Sequence, residues 1–186
     1  MKVERTFVFV DLSGFTKYTA DNGDTSAGNV LTKFRAEVRD VAANWGIRVD
    51  KWLGDGCMIV SVEQELAIGF ALDMRKRCED VCRPLTVRIG LATGEVLMFQ
   101  GEDYIGTSVN LASRLCDVAD NNEVLISRAD IRRLPIGVTE NNHDNVVLRG
   151  LGEVEVVNLT AQDKIVDSLA FRCVIIKCTR FQGRDD

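Results

Sequence analysis

Ile47–Arg48–Val49–Asp50–Lys51–Trp52–Leu53–Gly54–Asp55–Gly56–Cys57–Met58–Ile59–Val60–Ser61–Val62 reads as two short strands folded back on each other. Ile47–Trp52 and Cys57–Val62 are apolar and β-branched, and Leu53–Gly54–Asp55–Gly56 between them carries the glycines and aspartate of a hairpin turn. Working outward, Val30, Phe34, Val38 and Val41 recur at helical spacing, which predicts a helix over Thr25–Asn44 with Gly46 as its stop. On the other side Glu65–Arg83 predicts a second helix, closed by Pro84. Arg5–Val10 is rich in Phe and Val, as a strand buried on both faces would be, and Leu85–Ala92 is a further strand. The order β-α-β-β-α-β predicts an α+β domain with a ferredoxin-like core, an antiparallel-rich sheet and its helices packed against one face.

Past this core the sequence predicts a turn at Thr93–Gly94–Glu95, a continuation at Val96–Gln100 and a helix over Thr107–Ala119. A strand at Glu123–Ser127, a short helix at Ala129–Leu134, and strands near Val146–Arg149 and Glu153–Leu159 follow. Residues 1–160 are expected to form the domain. The stretch 161–186 is read as its extension, either an added helix and strand around Cys173–Lys177 or a fraying end at Gln182–Asp186.

The chain has 186 residues, a length that suits one core and not two. A net charge of −5 argues against a general nucleic-acid binder, because phosphate backbones demand a basic face. Met1–Lys2–Val3–Glu4–Arg5 carries no secretory signature and no apolar run reaches membrane-span length, so a soluble, cytoplasmic protein is expected. The six cysteines lack zinc spacing and read as reduced, mostly buried thiols. With His143 the single histidine, a Ser–His–Asp or Cys–His hydrolase is disfavoured.

Asp11 ends the first strand and Asp55 sits at the hairpin tip. Separately they read as a helix cap and a turn-former; together, at two points the topology can bring close, they suit Mg²⁺. Leu12–Ser13–Gly14–Phe15–Thr16 would turn backbone amides toward an anion, with Arg88 adding charge if its side chain reaches the same pocket. Lys51 and Asp103 match the hydrogen-bonding edge of adenine, a donor for N1 and an acceptor for the N6 amino group, although read alone the pair is better taken as two ordinary surface charges. Asn110 and Arg114, four apart on one helical face, suit a ribose and a phosphate, and are also ordinary for an amphipathic helix.

In series these stretches resemble the class III adenylate/guanylate cyclase family. The resemblance is carried by Phe9–Val10–Asp11–Leu12–Ser13–Gly14–Phe15–Thr16, Lys51–Trp52–Leu53–Gly54–Asp55 and Val87–Arg88–Ile89–Gly90–Leu91–Ala92–Thr93–Gly94. It continues through Asp103–Tyr104–Ile105–Gly106–Thr107–Ser108–Val109–Asn110–Leu111–Ala112–Ser113–Arg114 and Leu148–Arg149–Gly150. It implies a stand-alone bacterial adenylate cyclase that makes cyclic AMP from ATP with two divalent ions, Mg²⁺ or Mn²⁺. Asp11, Asp55 and the Leu12 carbonyl would hold metal. Gly14, Phe15, Thr16 and Arg88 would bind the triphosphate, as would Arg149, although a lysine is common there. Lys51 and Asp103 would choose adenine, where guanylate cyclases typically carry Glu and Cys. Asn110 would orient the ribose and Arg114 stabilise charge at the α-phosphate. A homodimer with shared sites is implied. A guanylate cyclase, or a catalytically silent cyclase-like module, is the alternative.

Overall fold

The computed structural model describes residues 1–100 and 103–162. Its elements are β1 (Lys2–Ser13), α1 (Phe15–Trp45), β2 (Arg48–Leu53), β3 (Gly56–Ser61), α2 (Gln64–Val81), β4 (Thr86–Phe99) and β5 (Asp103–Ile105). After these come α3 (Thr107–Val118), β6 (Val124–Ser127), β7 (Val138–Asn142), β8 (Val146–Leu148), β9 (Gly152–Val154) and β10 (Val156–Ala161).

Strand β1 is apolar on consecutive residues because it lies in the middle of the sheet. It pairs antiparallel with β3 on one side and with β4 on the other, and the first half of the chain gives the order β2-β3-β1-β4. That is the expected βαββαβ unit. Parallel pairing of β6 with β4 then extends the sheet to β10 and β7. Val8, Val10 and Leu12 face Val30, Phe34, Val38 and Val41 of α1 and Ile68 and Leu72 of α2. Each such large side chain, fully removed from water, contributes roughly 1.5–3 kcal/mol. Phe7 faces the other way, into a second cluster with Met58, Val60, Ala92 and Ala112 of α3. The third helix therefore covers the face that α1 and α2 leave open, so helices lie on both sides of the sheet.

The seam between α1 and α2 is closed by an aromatic ring resting on a glycine. A Cβ on Gly69 would lie 2.1 Å from ring atoms of Trp45. The Trp45 indole N–H donates to Asp73 Oδ2 at 3.1 Å, and Arg77 Nε donates to the other oxygen of Asp73 at 3.1 Å. Gly69→Ala is expected to cost about 1–3 kcal/mol through overpacking. Denaturant unfolding followed by circular dichroism reads this directly, and an unchanged midpoint would show that the ring can move aside.

Several elements differ from the sequence expectation. Helix α1 begins at Phe15, ten residues before the expected start at Thr25, and is broken at Gly23 (φ 80°, ψ 164°). The turn expected at Thr93–Gly94–Glu95 is absent, and β4 runs straight through it. Gly94 is there for close approach instead, since a Cβ would meet Ser108 Oγ at 2.2 Å. The helix expected at Ala129–Leu134 is a single 3₁₀ turn, Arg128–Asp130. The last expected strand is two, β9 and β10, and β5 and β7 were not foreseen. Cys57, Cys78, Cys82 and Cys116 are buried free thiols, as expected. The extension expected beyond Ala161, with Cys173 and Cys178, lies outside the described residues from 163 onward. Among the described residues no helix is long and apolar enough to cross a membrane.

Candidate active site

Asp11 lies near the end of the central strand, with Gly56 as its partner on β3 and Arg88 as its partner on β4. The hairpin tip is drawn against it: Leu12 N–H donates to the Asp55 carbonyl at 3.3 Å. Gly56 permits this approach, because a Cβ there would stand 2.7 Å from the Val10 carbonyl oxygen and 3.0 Å from Asp11 Oδ1. Arg88 reaches across the strand pair and donates to Asp11 Oδ2 from Nε (3.0 Å) and from a terminal nitrogen (2.7 Å). Its other terminal nitrogen donates to the Asp117 carbonyl at 3.1 Å.

Burial, and then the negative charge of Asp11, push the Asp55 carboxyl above its ordinary value of 3.8. An acid whose pKa is raised on folding contributes most stability below its unfolded pKa and loses it as pH rises toward the folded value. Ionised Asp55 is thus a strain on the fold at neutral pH. Asp55→Asn is expected to raise the denaturation midpoint at pH 7 and to have little effect below pH 3.8, a contrast that paired melts at the two pH values measure. Two carboxylates held together against their mutual repulsion fit a divalent cation. Such a pair suits a hard cation that completes its shell with water and substrate phosphates; among the described residues no group of three or more His, Cys, Asp or Glu is placed to hold a metal ion.

Gly14 adopts φ 81°, ψ 9° between β1 and α1, a left-handed conformation natural to glycine. The first helical bond runs from Tyr18 N–H to the Gly14 carbonyl at 2.9 Å. No side chain caps this end and no acid stands in the first turn, so the leading amides are available to an anion. Phe15 packs against the main core and Thr16 is exposed. Ser13 Oγ donates to Asn121 Oδ1 at 2.6 Å, tying the turn to the loop after α3.

Lys51 of β2 and Asp103 of β5, 52 residues apart, form an ion pair. Asn110 and Arg114 lie on the exposed side of α3, and Arg114 donates to Asp117 Oδ2 at 3.3 Å. The helix backbone sits directly on β4: a Cβ on Gly90 would be 2.2 Å from Cys116 N and 2.3 Å from the Ala112 carbonyl. Arg149 is exposed in the turn joining β8 to β9. The chain thus gathers Asp11, Asp55 and Arg88 at one strand end, and Lys51 with Asp103 beside the hairpin. Sequence reasoning missed Asp117, which meets both Arg88 and Arg114. It also missed Arg35, which stacks 5.1 Å from the Trp52 ring and donates to the Gly54 carbonyl at 3.0 Å, steadying the tip that carries Asp55. The signal for Arg35 was present: Arg35 and Arg39 stand one helical turn apart, and both lie over Trp52.

Paired carboxylates at the strand end suit a divalent cation, and the glycine turn beside them suits an anion. Residues 2–161 match the model of the adenylate and guanylate cyclase catalytic domain, and the chain belongs to that family. It is 39% identical over 117 residues to an uncharacterised protein of Mycobacterium tuberculosis, covering 63% of this chain and 31% of that protein. It is 34% identical over 122 residues to an adenylate cyclase of Streptomyces coelicolor, covering 65% and 32%. The matches therefore span about a third of the length of these relatives. Among solved structures, the adenylyl cyclase CyaB from P. aeruginosa superposes with a TM-score of 0.74 at 22% identity, covering 88% of this chain and 97% of that one. The catalytic core of a rhodopsin-guanylyl cyclase with converted specificity, in complex with ATPαS, gives 0.75 at 24% identity, covering 87% and 98%.

Proposed function

We propose that this cyclase domain is an adenylate cyclase, converting ATP to 3′,5′-cyclic AMP and pyrophosphate in sites shared by two copies of the chain. The observation that carries the choice of base is the Lys51–Asp103 pair. A lysine ammonium can donate to adenine N1, and a carboxylate can accept from the N6 amino group. Guanine presents the reverse pattern, an N1–H and an O6, and would leave both protein groups unpaired at the buried edge of the base.

Asp11, Asp55 and the Leu12 carbonyl would hold two divalent ions, Mg²⁺ or Mn²⁺. The chemistry these supply is a lowered pKa for the ribose 3′-hydroxyl and charge neutralisation on the β- and γ-phosphates. The open amides of Phe15 and Thr16 after Gly14 would bind the triphosphate, with Arg149 joining from its turn. Arg88 now neutralises Asp11, and releasing that carboxylate frees its guanidinium for a phosphate. Asn110 would orient the ribose. Arg114 would stabilise charge developing at the α-phosphate as the 3′-oxygen attacks in line and pyrophosphate leaves. Positioning and electrostatics carry most of such phosphoryl chemistry, and the 3′-hydroxyl proton would leave to water or a substrate phosphate oxygen as the new O–P bond forms and the bond to pyrophosphate breaks.

The direct test is incubation of the pure chain with ATP or GTP plus Mn²⁺ and separation of products; cyclic GMP alone would overturn the reading. A finer test is Lys51→Glu combined with Asp103→Cys. Loss of the adenine contacts should cost on the order of 1–3 kcal/mol, a fall of about five- to 150-fold in kcat/KM for ATP. Unchanged use of ATP would mean that these two residues do not read the base.

A further inference from the structure

Strand β2 does not run evenly along β3. Val49 faces Ile59, yet the residue facing Met58 is Lys51 and not Asp50, so one extra residue bulges between Val49 and Lys51. Two residues opposing one reverse the alternation of faces beyond the bulge. Ile59 belongs to the core beneath α1 and α2, whereas Met58 belongs to the opposite cluster with Phe7 and Tyr104. In an even ladder Asp50 would lie opposite Met58, and Lys51 would turn toward the helices. The bulge exchanges them, which is how Lys51 comes to meet Asp103.

The bulged residue is an acid with an unusual environment. The Asp50 side chain is only 3% exposed. Its Oδ1 accepts from Arg48 at 2.5 Å, and its Oδ2 has no hydrogen-bond partner among the described residues. Leaving a buried carboxylate oxygen unpaired is costly. A strand at the sheet edge could be interrupted by any small polar residue without that cost. The Arg48 guanidinium, on the same strand two residues earlier, closes over the bulge from the solvent side, where it is 65% exposed.

We propose that Asp50, clamped by Arg48 at this bulge, is a specificity-positioning residue that holds Lys51 opposite Asp103. The inference rests on the adenylate reading above and extends it to a residue that touches no substrate. Asp50 is not among the non-glycine residues with positive φ, so alanine fits the backbone. Arg48 is exposed, and its replacement reaches the same clamp from outside the core.

The experiment measures kcat and KM for ATP and for GTP in the wild-type chain and in Asp50→Ala, Arg48→Ala and Lys51→Ala. It repeats Asp50→Ala in the Lys51→Ala background, with a thermal melt of every variant. The expected result is that Asp50→Ala and Arg48→Ala each lower the ATP-over-GTP preference by about tenfold, chiefly through KM for ATP. Without Lys51 the Asp50 substitution should change the preference no further. Equal losses for both nucleotides that persist in the Lys51→Ala background would make the bulge a purely structural device and overturn the inference. Preserved ATP preference in both clamp variants would overturn it as well. A wild-type chain that does not favour ATP would instead defeat the adenylate reading itself, and this inference with it.

Discussion

Cyclic AMP formation by Asp55→Ala and by Asp11→Asn is expected to fall by about a thousandfold, the rate equivalent of losing several kcal/mol of charge stabilisation at the reacting phosphates. The geometry explains why either change alone should suffice. Asp11 stands on the central strand, and Asp55 is pulled against that strand end by the Leu12–Asp55 backbone bond. Asparagine is chosen at position 11 because Arg88 donates twice to that carboxylate, and an amide oxygen leaves it an acceptor. Both variants should melt close to the wild-type temperature, with the Asp55 replacement stabilised where its ionised carboxylate was a burden. Near-normal turnover in either folded variant would remove that residue from the metal-binding role.

The second large effect is a recovery. If two copies of the chain share each site, a two-fold dimer holds two equivalent centres, each drawing Asp11 from one copy and Arg114 from the other. Asp11→Asn alone and Arg114→Ala alone then leave every centre incomplete, and both proteins should be inactive. When they are mixed and allowed to exchange subunits, random pairing makes half the dimers mixed. In each mixed dimer one centre carries both lesions, and the other combines wild-type Arg114 with wild-type Asp11. About a quarter of wild-type activity should return. Cyclic AMP formation from equal mixtures measures it, with differently tagged chains proving exchange. Demonstrated heterodimers without recovery would mean that each centre is built within a single chain.

What the sequence made legible follows a physical division. The core helices were readable because one-sided burial imposes periodicity, the central strand because burial on both faces makes it apolar on consecutive residues, and the hairpin because glycines mark its turn. Phe15–Asn22 was not recognised as helix because no apolar stripe runs through it and Gly23 interrupts the pattern. Gly94 misled in the opposite sense: glycine beside threonine reads as a turn, whereas its role is to let Ser108 of α3 approach β4. Val138–Asn142 carries a single buried residue, so no alternation announced β7. Among the candidate site residues, the identities of Asp11, Asp55, Lys51 and Asp103 came from motifs in series, but two of their partnerships did not. That Arg88 lies on Asp11, and that a bulge at Asp50 turns Lys51 toward Asp103, depend on strand register, which one sequence does not reveal.

One feature of the opposite sheet end bears on how this family can drift. Thr6 and Thr93 share a hydrogen bond at 2.9 Å, and Gln64 Nε2 donates to Thr93 Oγ1 at 2.6 Å and to the Asp130 carbonyl at 2.8 Å. Thr93 N–H in turn donates to Asp130 Oδ2 at 3.1 Å, and Gln64 Oε1 accepts from Arg132 N–H at 2.8 Å. Thr6, Gln64 and Thr93 are all buried, so replacing any one strands the polar atoms of the others. A lineage leaving this arrangement must cross a less stable intermediate or change several positions almost together. In an alignment of relatives, positions 6, 64, 93 and 130 should therefore be inherited as a block, swapped as a set or kept, while the solvent-facing residues around them vary one at a time.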